Sequence, residues 1–436
     1  MAQGALPGFR DFYPEQFAER AYIMSVWRRV LRRYAFMEYD GPPLEHLDLY
    51  RKKSGDELVG QLYSFTDKGD REVALRPEMT PTLARMVAAR ANSLRKPVRW
   101  FSIPQLFRYE RQQKGRLREH FQLNADIVGE PGVTADAELL ALALDVMREF
   151  GLSSGDVNAR VSDRRLLQSL LAHAGVADES LASVYAVIDK RGREPADVSR
   201  KKLIKATGGE RIADTVEEIL SCRDVESLTA RYSAVSAAAG HIQRMRDYLD
   251  HLGSLGFAGW VRLDLSVVRG LAYYTGIVFE LFDTAGEYRA ICGGGRYDTL
   301  LQTLGGVDLP ALGFGMGDVV LGELLHGRGL MPTIEQRTDY WVAGEDESMI
   351  GDVMRVAAEL RRRDRSAEYA LKPQQLSRQL KAASAAGADN AVLLKREAFA
   401  RGEITVKDMK AGTEQSLSLD DFFNSLKQDR WPTTRS

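Results

Sequence analysis

Apolar and aromatic residues across positions 17–34 (Phe17, Tyr22, Ile23, Val26, Trp27, Val30, Leu31 and Tyr34) return every three or four residues. That is the stripe of an amphipathic helix, most of it core-facing. Residues 62–75 hold two short strand-like runs around Lys68-Gly69-Asp70, which predicts a hairpin. Arg76-Pro77-Glu78-Met79-Thr80-Pro81 then leads into a helix through Val87. Next come two predicted antiparallel strands, 100–110 and 118–128, joined by a basic loop. In the second, Phe121, Leu123, Ala125 and Ile127 alternate with Gln122, Asn124 and Asp126; in the first, Phe107 and Tyr109 alternate with Arg108 and Glu110. Such a pair presents charged and amide groups on one face above a packed core.

Positions 162–256 are helical by periodicity and rich in alanine and leucine, and read as an inserted helical module. Strand signals return at 260–268, 273–282 and 289–292, so the sheet begun before Gly129 is expected to resume there. From Thr338 the alternation strand, helix, strand, helix, strand predicts a small α/β domain with a parallel sheet.

A length of 436 residues is enough for about two to four domains, and 44% hydrophobic with 28% charged residues excludes a disordered or fibrous chain. Lysine plus arginine number 60 against 61 acidic residues, a net charge of -1, so any polyanion must be bound by local patches. Cys222 and Cys292 form no C-x-x-C pair, which argues against a disulfide framework and a thiolate zinc site; a reducing cytoplasm is the simplest setting. The beginning Met1-Ala2-Gln3-Gly4 lacks the pattern of a secretory signal and no segment approaches 18 uninterrupted apolar residues, so a soluble, unexported protein without a membrane partner is expected.

Three segments carry candidate chemistry. The loop Arg111-Gln112-Gln113-Lys114-Gly115-Arg116-Leu117-Arg118 is either a solvated hairpin tip or a phosphate clamp, and the polar strand face beside it favours the clamp. Gly293-Gly294-Gly295-Arg296-Tyr297-Asp298 allows close approach of a ligand to the backbone, but a tight turn or bulge is at least as good a reading. Arg269-Gly270-Leu271-Ala272-Tyr273-Tyr274 places a cation beside two phenols, with core tyrosines at even odds. The six histidines have no metal-ligand spacing, so no protein-built metal site is expected, and no P-loop or dinucleotide-binding spacing occurs.

Together these segments resemble the histidyl-tRNA synthetase family of class II aminoacyl-tRNA synthetases, from Gly8-Phe9-Arg10-Asp11 to about Phe422. Residues 36–45 look like the family's motif 1, which builds a homodimer interface, and Phe107-Arg108-Tyr109-Glu110-Arg111 looks like motif 2. The resemblance implies an α+β fold: a class II antiparallel-sheet catalytic domain (1–160 and 259–334) with a helical insertion (161–258), and a C-terminal α/β anticodon-binding domain (338–431). By the same resemblance Arg108 would hold the α-phosphate of ATP, Glu110 the adenine amino group and Arg116 the outer phosphates, with Mg²⁺ also on those phosphates. Glu78, Thr80, Gln122, Asp126, Tyr273, Tyr274 and Tyr297 would bind histidine, and Arg269 would join Arg108 in neutralising charge at the reacting centre. A pocket that hydrogen-bonds its substrate rejects analogues lacking the matching groups by about 10⁴ to 10⁵.

The chain departs from the family pattern at three places. Ala272 stands where the family has aspartate, Asp126 where it has glutamate, and Val320, in Gly313-Phe314-Gly315-Met316-Gly317-Asp318-Val319-Val320-Leu321, where motif 3 has an arginine. Arg116, Arg118 and Arg296 are the candidates to replace that last cation. The implied activity is ATP-dependent ligation of histidine to tRNA(His) by a cytoplasmic homodimer. The alternative is a noncatalytic, histidine-sensing regulatory subunit of ATP phosphoribosyltransferase. Arg361-Arg362-Arg363 and Arg200-Lys201-Lys202 with Lys205 are candidate tRNA-facing patches, a solvated helix face being the better reading of the first.

Overall fold

The computed structural model describes residues 4–51, 60–110, 115–192, 194–268, 273–333 and 337–426. Arg269, Ala272 and the loop residues 111–114 fall outside them. Two compact units divide at residue 332.

The first helix, Pro14–Arg33, starts three residues before its apolar stripe because Pro14 occupies its first turn, where a missing N–H costs nothing. Ile23, Val26, Trp27, Val30 and Leu31 are buried as the periodicity predicts. The 62–75 hairpin forms from Ser64–Thr66 and Glu72–Leu75, and the Asp67 carboxylate closes its turn by accepting from the N–H groups of Gly69 (2.8 Å) and Arg71 (3.0 Å). A third strand, Leu44–His46, pairs with Glu72–Leu75.

The first unit is built on a nine-stranded, mainly antiparallel sheet. At its centre Glu119–Val128 pairs with Ala311–Gly317, which pairs with Cys292–Arg296 and then Ile277–Asp283. Val98–Ser102 flanks one side and Val157–Asp163 the other. The predicted strand over 100–110 is in fact two, Val98–Ser102 and Gln105–Phe107, each antiparallel to Glu119–Val128. Pro104 has no N–H to give the ladder and breaks it, so Arg108 and Glu110 lie beyond the strand rather than on its face.

The run Gly293-Gly294-Gly295, for which a tight turn or bulge is at least as good a sequence reading, lies in a central strand, as does the glycine-rich Ala311–Gly317. A Cβ on Gly294 would come within 2.5 Å of the Gly313 carbonyl, and one on Gly295 within 2.6 Å of the Ile277 carbonyl. Only glycine lets the neighbouring strands approach this closely. Helix Val133–Glu149, apolar almost all round, packs into the main core.

Helices from Arg164–His173 to Ser236–Ser254 follow the strand Val157–Asp163, and their buried residues join the same core as the sheet. In the second unit Ala367–Glu368, Thr338–Gly344 and Ala388–Leu394 are parallel neighbours as predicted. Glu403–Asp408 and Glu414–Ser418 extend that sheet in antiparallel fashion, making it mixed.

Candidate active site

Arg76 organises one wall. Its buried guanidinium donates to the Asp40 carboxylate (2.7 Å) and to the carbonyls of Gly41 (2.7 Å) and Gln105 (3.1 Å). Phe107 N–H donates back to the Arg76 carbonyl at 3.0 Å, and Arg108 Nε donates to the Pro77 carbonyl at 3.0 Å. The segment carrying buried Glu78 and half-buried Thr80, the first residue of helix Thr80–Arg90, is thereby pinned to the segment carrying Arg108 and Glu110.

Arg108, Glu110, Arg116, His120, Gln122 and Glu280 line a cavity of about 230 Å³, whose other walls include Gly293, Gly315, Gly317 and Val320. The Glu110 carboxylate, only 8% exposed, pairs with Arg116 at 2.6 Å and with Arg108 at 3.8 Å. His120 is pushed down to about 3 by burial, then by the positive charges of Arg108 and Arg10, so it contributes a neutral imidazole at physiological pH. Behind this wall Arg10 bridges Glu119 (2.6 Å) and Asp318 (2.9 Å), and Asp318 accepts the Phe121 N–H at 2.9 Å. Burial raises the Asp318 carboxyl, and Arg10 opposes it.

Four positions after Gln122 on the same strand, Asp126 is 5% exposed and accepts a short hydrogen bond from the Tyr297 hydroxyl. Burial first, and the Asp126 charge second, raise the Tyr297 phenol far above its usual range, so it is a donor. Tyr273 meets Tyr297 edge-on at 5.9 Å and tilts against Tyr274 at 4.8 Å. The facing strand makes room for these groups. A Cβ on Gly313 would strike the Asp126 carboxylate and sit 2.9 Å from the Tyr297 hydroxyl, and one on Gly315 would sit 2.8 Å from the Gln122 amide carbon. The tyrosine Tyr39, which sequence reasoning left unassigned, packs on Trp100 at 5.3 Å and feels the Asp126 charge.

The structure thus brings Arg108, Glu110, Arg116 and Gln122 into one cavity, clusters Asp126, Tyr273, Tyr274 and Tyr297, and ties Glu78 and Thr80 to the first group through the Arg108 to Pro77 bond. Arg296 does not belong with them: 1% exposed, it is committed to Asp136, the carbonyls of Glu130 and Gly132, and Asp298, and cannot replace the missing motif 3 arginine. Arg118 lies over the Tyr109 ring and donates to the Glu110 carbonyl. His120 and Glu280 were missed because no motif marks them; their only signal is the strand position each occupies. The candidate tRNA patches are largely neutralised locally. Arg200 pairs with Asp214 and Glu217, Lys202 with Glu194, Arg362 and Arg363 with Glu359, and Arg361 caps the Ala367 carbonyl.

Comparison with known proteins agrees with this geometry. The family model "Histidyl-tRNA synthetase" matches residues 8–317, and the model "Anticodon binding domain" matches residues 337–429, which sets the chain among the aminoacyl-tRNA synthetases. A histidine–tRNA ligase of Opitutus terrae is 43% identical over 95% of both chains. The chloroplastic/mitochondrial histidine–tRNA ligase of Arabidopsis thaliana is 40% identical over 95% of this chain and 85% of its own. The chain belongs to the histidyl-tRNA synthetase family. The crystal structure of histidyl-tRNA synthetase from a Nostoc species shares the fold, with a TM-score of 0.82 at 21% identity over 98% of this chain and 99% of that one.

Proposed function

We propose that the chain activates histidine with ATP and transfers it to tRNA(His). The observation that carries this is one sheet holding two joined sites: a cation-and-carboxylate cavity around Arg108 and Glu110, and a buried Asp126–Tyr297 pair on the same strand system. A histidine carboxylate oxygen attacks the α-phosphorus, the bond to the β-phosphate oxygen breaks, and pyrophosphate leaves with the electron pair. A terminal ribose hydroxyl of tRNA then displaces AMP from the carbonyl carbon.

Arg108 is assigned to the α-phosphate, where a fixed guanidinium neutralises charge that grows in the transition state. Arg269 is assigned there with it. Glu110 is assigned to the adenine amino group and Arg116 to the outer phosphates, so the Arg116–Glu110 contact must open when nucleotide enters. Glu78, Thr80 and Gln122 are assigned to the histidine amino group, and Asp126, Tyr273, Tyr274 and Tyr297 to the imidazole. Asp126 is shorter than glutamate, and the Tyr297 bond fixes where its carboxylate sits. Mg²⁺ prefers phosphate oxygens with one or two carboxylates, and Glu280 on the cavity wall suits that chemistry.

Residues 1–160 and 259–334 are taken as the catalytic domain, 161–258 as its insertion and 338–431 as the anticodon-reading domain. Met37, 64% exposed on the edge strand Met37–Glu38, marks the sheet edge that we assign to a homodimer. Cys222 and Cys292 are both buried thiols, in keeping with a reducing cytoplasm. No described helix is long and apolar enough to cross a membrane. The regulatory-subunit reading is not favoured, because full-length relatives are named as ligases and the anticodon-binding model matches. Histidine-dependent exchange of pyrophosphate into ATP, with charging of tRNA(His), is the test; pure folded protein lacking the exchange would overturn the assignment.

A further inference from the structure

The cavity around Arg108 does not end at Val320. A second cavity of about 320 Å³ shares Gly115 and Val320 with it and is otherwise lined by Glu287, Tyr288, Arg289 and Glu323. Among these described lining residues Arg289 is the single cation. It is exposed, and the chain that carries it continues through Ala290, Ile291 and Cys292 along the wall of the first cavity. Its side chain converges on the Val320 side chain: a Cβ on Gly115 would lie 3.3 Å from Val320 Cγ2, 3.9 Å from Arg289 Cδ and 3.9 Å from Glu323 Oε2.

We propose that Arg289 joins Arg116 in binding the outer phosphates of the nucleotide in this chain, entering from the segment before Cys292–Arg296 to serve the place where Val320 offers only methyl groups. This rests on the ATP-dependent reading above. A triphosphate spreads its charge along its length, and one guanidinium at Arg108 cannot meet all of it. Arg116 at the near end is drawn to Glu110 at 2.6 Å, so a second fork at the far end completes the clamp. A planar guanidinium suits phosphate because two parallel N–H donors meet two oxygens. Glu287 and Glu323 line the same cavity and would repel a phosphate if Arg289 were removed.

Calorimetric titration of wild type, R289A and R289K with Mg·ATP and, separately, with AMP tests this. Loss of a charge-assisted contact should weaken ATP by about 10- to 100-fold in R289A while AMP, which lacks the outer phosphates, changes by less than about threefold. Pyrophosphate exchange should show the same rise in KM for ATP with an unchanged KM for histidine, and R289A/V320R should recover much of it by supplying the cation from the other wall. Equal weakening of ATP and AMP, or unchanged ATP binding in folded R289A, overturns the proposal. Should R289A not fold, R289K binding ATP as tightly as wild type while R289Q does too would overturn it equally. Absence of exchange in the wild type would instead refute the underlying activity and leave the ATP-versus-AMP comparison to judge Arg289.

Discussion

Arg296 lies inside a family-like signature, yet its surroundings make it structural, and the two roles predict different failures. Its guanidinium donates to Asp136 through Nε (3.0 Å) and Nη2 (2.7 Å), to the Glu130 carbonyl (3.0 Å) and to the Gly132 carbonyl (3.2 Å). Both partners of the pair are about 2% exposed or less. Replacing Arg296 by Met leaves the Asp136 carboxylate with Arg244 at 3.2 Å as its remaining ion pair. Breaking a buried pair on one side costs about 3–5 kcal/mol. For a cooperative unit of 332 residues that is a fall of roughly 4–7 °C in Tm. Burial already raises the Asp136 carboxyl against the pull of both arginines. In R296M it rises further, and a raised folded-state pKa stabilises below the unfolded value and loses that stability as pH climbs through the folded one. The R296M deficit should therefore shrink as pH is lowered from neutral toward the ordinary aspartate range. Scanning calorimetry at several pH values, with pyrophosphate exchange on the folded fraction, checks both points. A variant that melts with wild type but shows a large rise in KM for ATP would refute the structural role.

Removing the Tyr297 hydroxyl by Y297F takes a donor worth about 1.5–3 kcal/mol from a buried carboxylate, so KM for histidine should rise roughly 10- to 100-fold with KM for ATP nearly constant; parallel loss of both would point to collapse of the strand instead. G313A should abolish histidine-dependent exchange while leaving far-UV circular dichroism unchanged, since its Cβ enters the space of Asp126 and Tyr297. An active G313A enzyme would show that Asp126 can move aside. His120 takes up a proton near 6.5 when unfolded and at about 3 when folded, so the native state loses stability as pH falls from about 7 toward 3. The span corresponds to at most about 5 kcal/mol. Acid titration of H120N should have a shallower slope over that range than wild type, and identical slopes would remove His120 from the account.

Helices were legible where one face is apolar and the period is 3.6, as in Pro14–Arg33. The central strands were harder for two physical reasons. Cys292–Arg296 and Ala311–Gly317 are glycine-rich because of close backbone approach and the Asp126 and Tyr297 side chains, a requirement set by neighbours distant in sequence that runs against strand propensity. Val157–Asp163 went unread because it is buried on both faces and so has no apolar and polar alternation. Pro104, by contrast, was a local signal that should have split the 100–110 strand. The site was legible to the extent that its groups sit in contiguous motifs; Arg289 and Glu280, which reach the cavity walls singly, were not.

The balanced charge of the chain illustrates the same limit. Arg200, Arg296, Arg362 and Arg363 look equivalent to Arg108 or Arg289 in a sequence, and each adds one unit to the 60 cations. The fold distinguishes them by what they meet. Arg296 is spent on Asp136, Arg200 on Asp214 and Glu217, and Arg362 and Arg363 on Glu359, whereas Arg108, Arg116 and Arg289 face cavities with room for an anion. Ion pairs between exposed partners contribute little to stability, but they cancel a long-range field. A polyanion approaching the described residues therefore meets cations that line a cavity, such as Arg289, or whose carboxylate partner can be displaced, such as Arg116. For the nucleotide, displacement at the Arg116–Glu110 contact exchanges one anionic partner for another and exposes Glu110 to the base. That coupling makes R116A and E110Q non-additive: the double variant should bind ATP only slightly less well than the weaker single one. Strict additivity of the two in a double-mutant cycle would show that Arg116 and Glu110 act on the nucleotide independently.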